Sequence, residues 1–205
     1  MAMEFIFVIA ILVMSVVIHE VSHGYAALAL GDPTAKYQGR LTLNPISHLD
    51  PIGSFLVPLL GYFVGGFIIG WAKPVPFNPY NLRNQKWGEA LVAIAGPLSN
   101  IALAIIFGLV IRFTGQTLMS QTFLSLAEYV VFINITLAVF NLVPIPPLDG
   151  SKILFAILPY KWQNLRQSFE ISGFIFILIF IFFFWHFLTP IIYWVFTFLV
   201  NQSVF

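Results

Sequence analysis

Apolar residues run almost without interruption over four stretches of the chain, at 5–30, 89–111, 123–143 and 172–200. Each stretch reaches the roughly 20 residues that a helix needs to cross about 30 Å of hydrocarbon. The last one is long for a single span and contains Pro190, which indicates either one kinked helix or a helix followed by an interfacial segment. The pattern predicts an all-α polytopic membrane protein with about four transmembrane helices.

A further apolar stretch, 53–72, does not fit this description, because Pro58 and several glycines interrupt it. Just before it, the sequence KYQGRLTLNP alternates polar and apolar residues, which is typical of a strand pair. Lipid tolerates such backbone only where protein or a water-filled cavity covers it. We therefore expect 53–72 to be a re-entrant segment that dips into the membrane without crossing.

The composition agrees with a membrane protein, since 60% of the 205 residues are hydrophobic and only 8% are charged. The net charge is +1 and the basic residues form no tract, so no nucleic-acid partner is expected. Cysteine is absent from the sequence, which excludes disulfides and thiolate ligands. Without internal repeats or linkers, residues 1–205 are predicted to form a single domain.

The first apolar stretch is expected to remain in the protein. It follows the sequence MAME, which contains Glu4 and no Lys or Arg, whereas a signal peptide opens with a positively charged region. If 53–72 does not cross, all basic residues except Arg112 fall on one side of the membrane, and cytoplasmic loops are the basic ones. This predicts an N-terminus outside the cell. The basic residues on the cytoplasmic side are then Lys36, Arg40, Lys73, Arg83, Lys86, Lys152, Lys161 and Arg166.

Three ionisable residues lie together in the first apolar stretch, in the sequence VVIHEVSHGY at 16–25. A charged side chain near the bilayer centre costs at least about 2.5 to 3.5 kcal/mol, so such residues indicate function. His19 and His23 are one helical turn apart and can bind one zinc ion, while Glu20 is offset and can reach a water. The alternative, two histidines that only bond other helices, leaves Glu20 without a purpose.

A catalytic zinc ion usually has three protein ligands, and Asp149 is the candidate for the third. It lies in the sequence NLVPIPPLDGSKI, where prolines interrupt an apolar run at membrane depth. If 53–72 crossed the membrane, Asp149 would lie roughly 30 Å from His19 and His23. The zinc site and the charge bias therefore require the same topology. Less suitable candidates lie in loops, at a helix start or among aromatic residues: Asp32, His48, Asp50, Glu89 and His186.

These residues resemble those of the intramembrane zinc metalloproteases of the site-2 protease type. The resemblance rests on HEVSHG, on GRLTLNPISHLDPIGS, on AGPLSN at 95–100 and on NLVPIPPLDG at 141–150. It covers most of residues 15–155, in a compact form without a PDZ or nucleotide-sensing domain.

The resemblance implies zinc as cofactor, His19, His23 and Asp149 as its ligands, and Glu20 as general acid and base. It also implies a membrane-dipping β-hairpin, which we assign to 37–52, and a site on the cytoplasmic side of a prokaryotic cell membrane. The expected substrates are transmembrane proteins or peptides. The residues expected to contact the substrate are Leu41, Leu43, Asn100 and Asn141; AGPLSN has an equally good interpretation as a helix-packing motif, with Gly96 and Ser99 as small residues.

The predicted function is therefore hydrolysis of peptide bonds in or near transmembrane segments. An extended substrate could add as a strand to the edge of the 37–52 hairpin. A membrane metal transporter or metal sensor using the same ligands is the alternative, but it has little need for Glu20 beside the metal. An inactive scaffolding protein is disfavoured because the full ligand set is present.

Overall fold

The computed structural model describes residues 2–56, 72–118, 120–159 and 163–200. Within these ranges the chain is predominantly helical. The α-helices are α1 Ala2–Ala29, α2 Thr34–Tyr37, α3 Gly88–Leu118, α4 Gln121–Asn141, α5 Asp149–Ile157, α6 Gln163–Ile179 and α7 Trp185–Val200.

Four helical segments are long and apolar enough to cross a membrane, and they confirm the four predicted spans. They are Glu4–Ala29, Gly88–Thr114, Gln121–Asn141 and Ile171–Val200. The last of them is a continuous helix in which a π-helical turn, Phe180–Phe184, joins α6 to α7. Pro190 lies inside α7 without ending it. The chain is an integral membrane protein.

The helices bury small and branched residues against one another and leave large apolar residues exposed. One core forms where α3, α4 and α7 meet, around Ala104, Val131 and Phe196. Elsewhere on the same helices, side chains such as Phe113 and Phe198 are exposed. An exposed apolar surface of this kind is the surface that lipid covers in a membrane protein.

The predicted β-hairpin at 37–52 is not formed: these residues, all described, contain no strand. They form instead an irregular path with a 3-10 turn at Pro45–His48 and a π-helical turn that begins at Pro51. The prolines lack the backbone N–H that a ladder needs, and Gly39 has a φ of 64°, which turns the chain sharply. Alternating polarity therefore did not produce strand pairing here.

The predicted re-entrant segment 53–72 falls largely outside the described residues. Its two flanks meet, because Lys73 N–H donates to the carbonyl oxygen of His48 over 2.8 Å. After this point the chain runs in an extended conformation back along the C-terminal end of α1. The carboxylate of Asp32 fixes it there by accepting hydrogen bonds from Asn78 N–H and from the amide of Asn81.

Candidate metal centre

Two histidines on α1 form one side of the centre. His19 and His23 are only 6% and 8% exposed, and their Nε2 atoms lie 3.0 Å apart. The spacing of four residues places both rings on one face of the helix.

Asp149 completes the group from the start of α5. Its Oδ2 lies 3.1 Å from His19 Nε2 and 3.2 Å from His23 Nε2. Gly150 permits this approach, because a Cβ atom there would lie 2.2 Å from the carbonyl oxygen of Leu142 at the end of α4. The fold thus brings together the three residues that the sequence predicted as metal ligands.

Hydrogen bonds on the far side of each ring fix the tautomers of the two histidines. His23 Nδ1 lies 2.7 Å from the carbonyl oxygen of Val92, which can only accept, so Nδ1 carries the proton. His19 Nδ1 lies 2.6 Å from Oδ1 of Asn100. The NH2 group of Asn100 donates to Asn134 Oδ1 and to the carbonyl oxygen of Ser15, which leaves its oxygen to accept from His19. In the neutral form of each ring, Nε2 therefore presents a lone pair.

The centre is consequently a triangle of three potential metal-ligand atoms, two imidazole nitrogens and one carboxylate oxygen. Asp149 Oδ2 is buried and has no hydrogen-bond partner. Buried acceptors that face one another in this way need a cation. Ligand atoms about 2.0 to 2.2 Å from a tetrahedral zinc ion lie roughly 3.3 Å or slightly more from one another, close to the separations found here. The donor set fits zinc.

Glu20 lies beside this triangle without belonging to it. Glu20, His19 and His23 each offer a ligand atom, and these three atoms all lie within 4.8 Å of one another. Glu20 Oε2 accepts a hydrogen bond of 2.8 Å from Val75 N–H. Both carboxylates are therefore close enough to the histidines to share a metal centre with them, and the division of roles between Asp149 and Glu20 stays a prediction.

Helix α3 packs directly against the two histidine rings at Gly96. A Cβ atom on Gly96 would lie 2.5 Å from His23 Cε1 and 2.6 Å from His19 Cε1, so a side chain larger than hydrogen would displace both rings. Ser99 Oγ donates within its own helix to Gly96 O. These contacts agree with the helix-packing interpretation of AGPLSN, since Gly96 permits close packing and Asn100 bonds to residues of two other helices, whereas substrate contact by Asn100 stays a prediction.

The residues predicted to contact the substrate are more dispersed. Asn141 donates to Leu137 O in its own helix, Leu43 is 57% exposed, and Leu41 is half-buried beside Gly24. Asn100 is fully buried among protein groups. Their role in substrate binding stays a prediction.

The other polar candidates have local partners instead. His48 Nε2 bonds to the carbonyl oxygen of Thr42, as expected for a loop histidine. Asp50 accepts hydrogen bonds from Ile52 N–H and Gly53 N–H. Glu89 pairs with Arg166 over 2.6 Å.

Sequence reasoning missed three residues that support the centre: Ser15, Val75 and Asn134. A polar amide in the middle of an apolar helix was a signal for Asn134, although it did not indicate which residue the amide serves. Val75 acts through its backbone N–H, and its side chain gave no signal.

Comparison with known proteins agrees with the geometry. Residues 108–184 match the model of peptidase family M50. The chain is 38% identical to YwhC of Bacillus subtilis, described as a candidate zinc metalloprotease, over 84% of this chain and 78% of that protein. It is 31% identical to Rip2 of Mycolicibacterium smegmatis, described in the same way, over 85% of this chain and 66% of that protein. No solved structure matches the chain significantly.

Proposed function

The chain belongs to peptidase family M50, and on that premise we propose that its buried centre hydrolyses peptide bonds in or near the transmembrane segments of other proteins. The enzyme is an intramembrane zinc metalloprotease. Membership in a peptidase family favours hydrolysis over metal transport or sensing.

The observation that carries this proposal is the triangle formed by His19 Nε2, His23 Nε2 and Asp149 Oδ2. These three residues are proposed to hold the zinc ion. A zinc ion in that position polarises a peptide carbonyl and makes a water nucleophilic near neutral pH.

Glu20 is proposed to accept the proton of the attacking water and to donate it to the leaving amine. Its position supports this role, because the carboxylate is near the triangle and is not needed to complete it. Proton transfer by a positioned carboxylate contributes typically 10²-fold to 10⁴-fold to a rate. Asn141, Asn100, Leu41 and Leu43 are proposed to guide the substrate.

The proposed orientation has the N-terminus outside and the metal centre toward the cytoplasm of a prokaryotic cell. The hydrogen bond between Lys73 N–H and His48 O supports one part of this orientation, the placement of both flanks of the 53–72 segment on one side, because the two groups would otherwise be separated by the thickness of the membrane. The segment is also shorter than the roughly 40 residues that two full crossings need. We therefore propose that both flanks of this segment lie on the same side of the membrane.

Metal analysis and cleavage assays on purified variants test the assignment of roles. Glu20→Gln is expected to retain one zinc ion per chain and to lose at least about 10²-fold in kcat. His23→Ala and Asp149→Ala are expected to lose both metal and activity. The assay uses a panel of single-span membrane proteins from the same cell.

Asp50→Ala is the matched control, because that carboxylate accepts backbone hydrogen bonds in a loop. It is expected to retain metal and activity. Equal loss of zinc in Glu20→Gln and His23→Ala would show that Glu20 is a ligand. Stoichiometric zinc in Asp149→Ala would give the third position to another residue.

A further inference from the structure

An extended segment that follows the 53–72 stretch lies against the metal centre, and we propose that the backbone N–H of Val75 in this segment positions the Glu20 carboxylate for proton transfer. The inference rests on the proposed function of Glu20. It assigns the role to Val75, a residue with no chemistry in its side chain.

The contact joins two parts of the chain that are far apart in sequence. Val75 N–H donates to Glu20 Oε2 over 2.8 Å, and Val75 itself is only 5% exposed. From the described residues, no other hydrogen bond reaches either oxygen of Glu20. The carboxylate is thus fixed through Oε2, and Oε1 is left to accept a proton.

The local sequence restricts the segment to this one donor. Val75 is flanked by Pro74 and Pro76, which have no backbone N–H. A residue before proline also favours extended backbone. Residues 74–76 can therefore donate only one hydrogen bond from the backbone, and it is the bond to Glu20.

Other groups hold the segment in place on both sides of Val75. Lys73 N–H donates to His48 O, and Asn78 N–H donates to Asp32 Oδ2. The buried guanidinium of Arg40 donates to the carbonyl oxygens of Lys73 and Pro74. A donor anchored by its neighbours keeps the carboxylate in one orientation, which is the condition for efficient general base catalysis.

Val75→Pro tests the proposal, because it removes the N–H at a position that two prolines, Pro74 and Pro76, already flank. Val75→Ala is the matched control, since it shortens the side chain and keeps the N–H. Both proteins are purified as full chains, and zinc content, kcat and KM are measured on the same transmembrane substrate. We expect Val75→Pro to lower kcat about tenfold to a hundredfold, with zinc content and KM unchanged, and Val75→Ala to retain kcat within about threefold.

A second pair of measurements separates positioning from a purely structural effect. In a Glu20→Gln background, Val75→Pro is expected to produce no further loss, because the group that it positions is already gone. Incorporation of 2-hydroxy-3-methylbutanoic acid at position 75 converts the Pro74–Val75 amide into an ester, which removes the N–H and keeps the side chain. It is expected to reproduce the loss in kcat.

Several outcomes would overturn the proposal. Equal kcat in the ester variant and the wild type would show that the N–H is dispensable. A rise in kcat would show that the segment restrains Glu20, and a loss of zinc in the ester variant would show that the bond maintains the metal centre. A wild-type protein that binds zinc but cleaves no substrate would instead refute the proposed function.

Discussion

The tautomer of His19 is set by a chain of side-chain amides that joins three helices. Asn100 on α3 accepts from His19, and Asn134 on α4 orients Asn100 by accepting from its NH2 group. Asn134 in turn donates to Ser15 Oγ on α1. If Asn100 turned over, its NH2 group would face His19 Nδ1 and favour the tautomer in which Nε2 carries the proton and cannot bind metal. If His19 binds zinc as proposed, we therefore expect the affinity for zinc to depend on Asn134, which does not belong to the proposed ligand set.

Asn134→Leu is expected to lower zinc affinity about tenfold or more, which is the usual effect of losing an outer partner of a ligating histidine. Competition with a chromogenic chelator measures the affinity. Thr136→Val is the control, because its hydroxyl bonds only to Phe132 O in its own helix. Equal zinc affinities in the two variants would show that Asn134 does not act on His19 through Asn100.

A second residue-scale prediction concerns Asp32 in the loop after α1. Burial alone would raise the pKa of Asp32, but hydrogen bonds from Thr34, Asn81 and Asn78 outweigh it and lower the pKa below its ordinary value. A lowered pKa means that the carboxylate stabilises the fold above its unfolded pKa of about 4. This stabilisation is lost as the pH falls below that value toward the folded pKa.

Hydrogen exchange of peptides from 73–88 is therefore expected to accelerate as the pH falls below about 4, after correction for the intrinsic rate. Asp32→Asn should lower the free energy of local opening by about 1 to 3 kcal/mol, so that these peptides exchange faster already at neutral pH. In this variant, lowering the pH below about 4 should produce no further acceleration. If low pH accelerated hydrogen exchange equally in the wild type and in Asp32→Asn, the titrating group would be one other than Asp32.

Helix α3 approaches α1 so closely at Gly96 that no side chain fits between the helix and the histidine rings. Gly96→Ala is expected to displace the rings and to reduce zinc content, although alanine is the better helix former. Gly108→Ala is the matched control in the same helix, since its Cβ atom would meet only Leu199 on α7. Zinc analysis and thermal unfolding of both variants in detergent distinguish a local effect on the site from loss of the fold.

At the scale of elements, continuous apolar stretches predicted the four spanning helices well, because about twenty consecutive apolar residues match the length of a helix that crosses the bilayer. Spacing predicted that His19 and His23 share one helix face, and the proline-interrupted segment pointed to Asp149; the fold brings the three side chains together, and their role as zinc ligands stays a prediction. The pattern around 37–52 was misleading, because alternating polarity says nothing about whether a partner strand exists. Arg40 satisfies the carbonyl oxygens of Lys73 and Pro74 with a side chain instead of a ladder. Hydrogen bonds made by backbone groups, such as the one from Val75 N–H to Glu20, cannot be predicted from the pattern of side chains.

For the whole molecule, the central prediction is that the chain on both sides of the 53–72 segment lies in the cytoplasm. The native sequence contains no cysteine, so single cysteines report position without further changes. Cysteines at Gln38 and Asn84, both exposed, should resist a membrane-impermeant thiol reagent in intact cells and react once the cytoplasmic face is opened. A cysteine at Gln116 should react from outside.

Labelling of position 84 from outside, with position 38 protected, would mean that the segment crosses the membrane. The proposed orientation would then be wrong.

The proposed ligand set is divided between α1 and the start of α5, and this division has a consequence for biogenesis. His19 and His23 enter the membrane early in synthesis, whereas Asp149 arrives only after two further helices. With the proposed ligands, a nascent or truncated chain that lacks Asp149 has an incomplete set and is expected to be inactive toward its neighbours in the membrane. Chains ended before Asp149 should carry little zinc, and metal acquisition would then mark the moment at which an unfinished polypeptide becomes a protease.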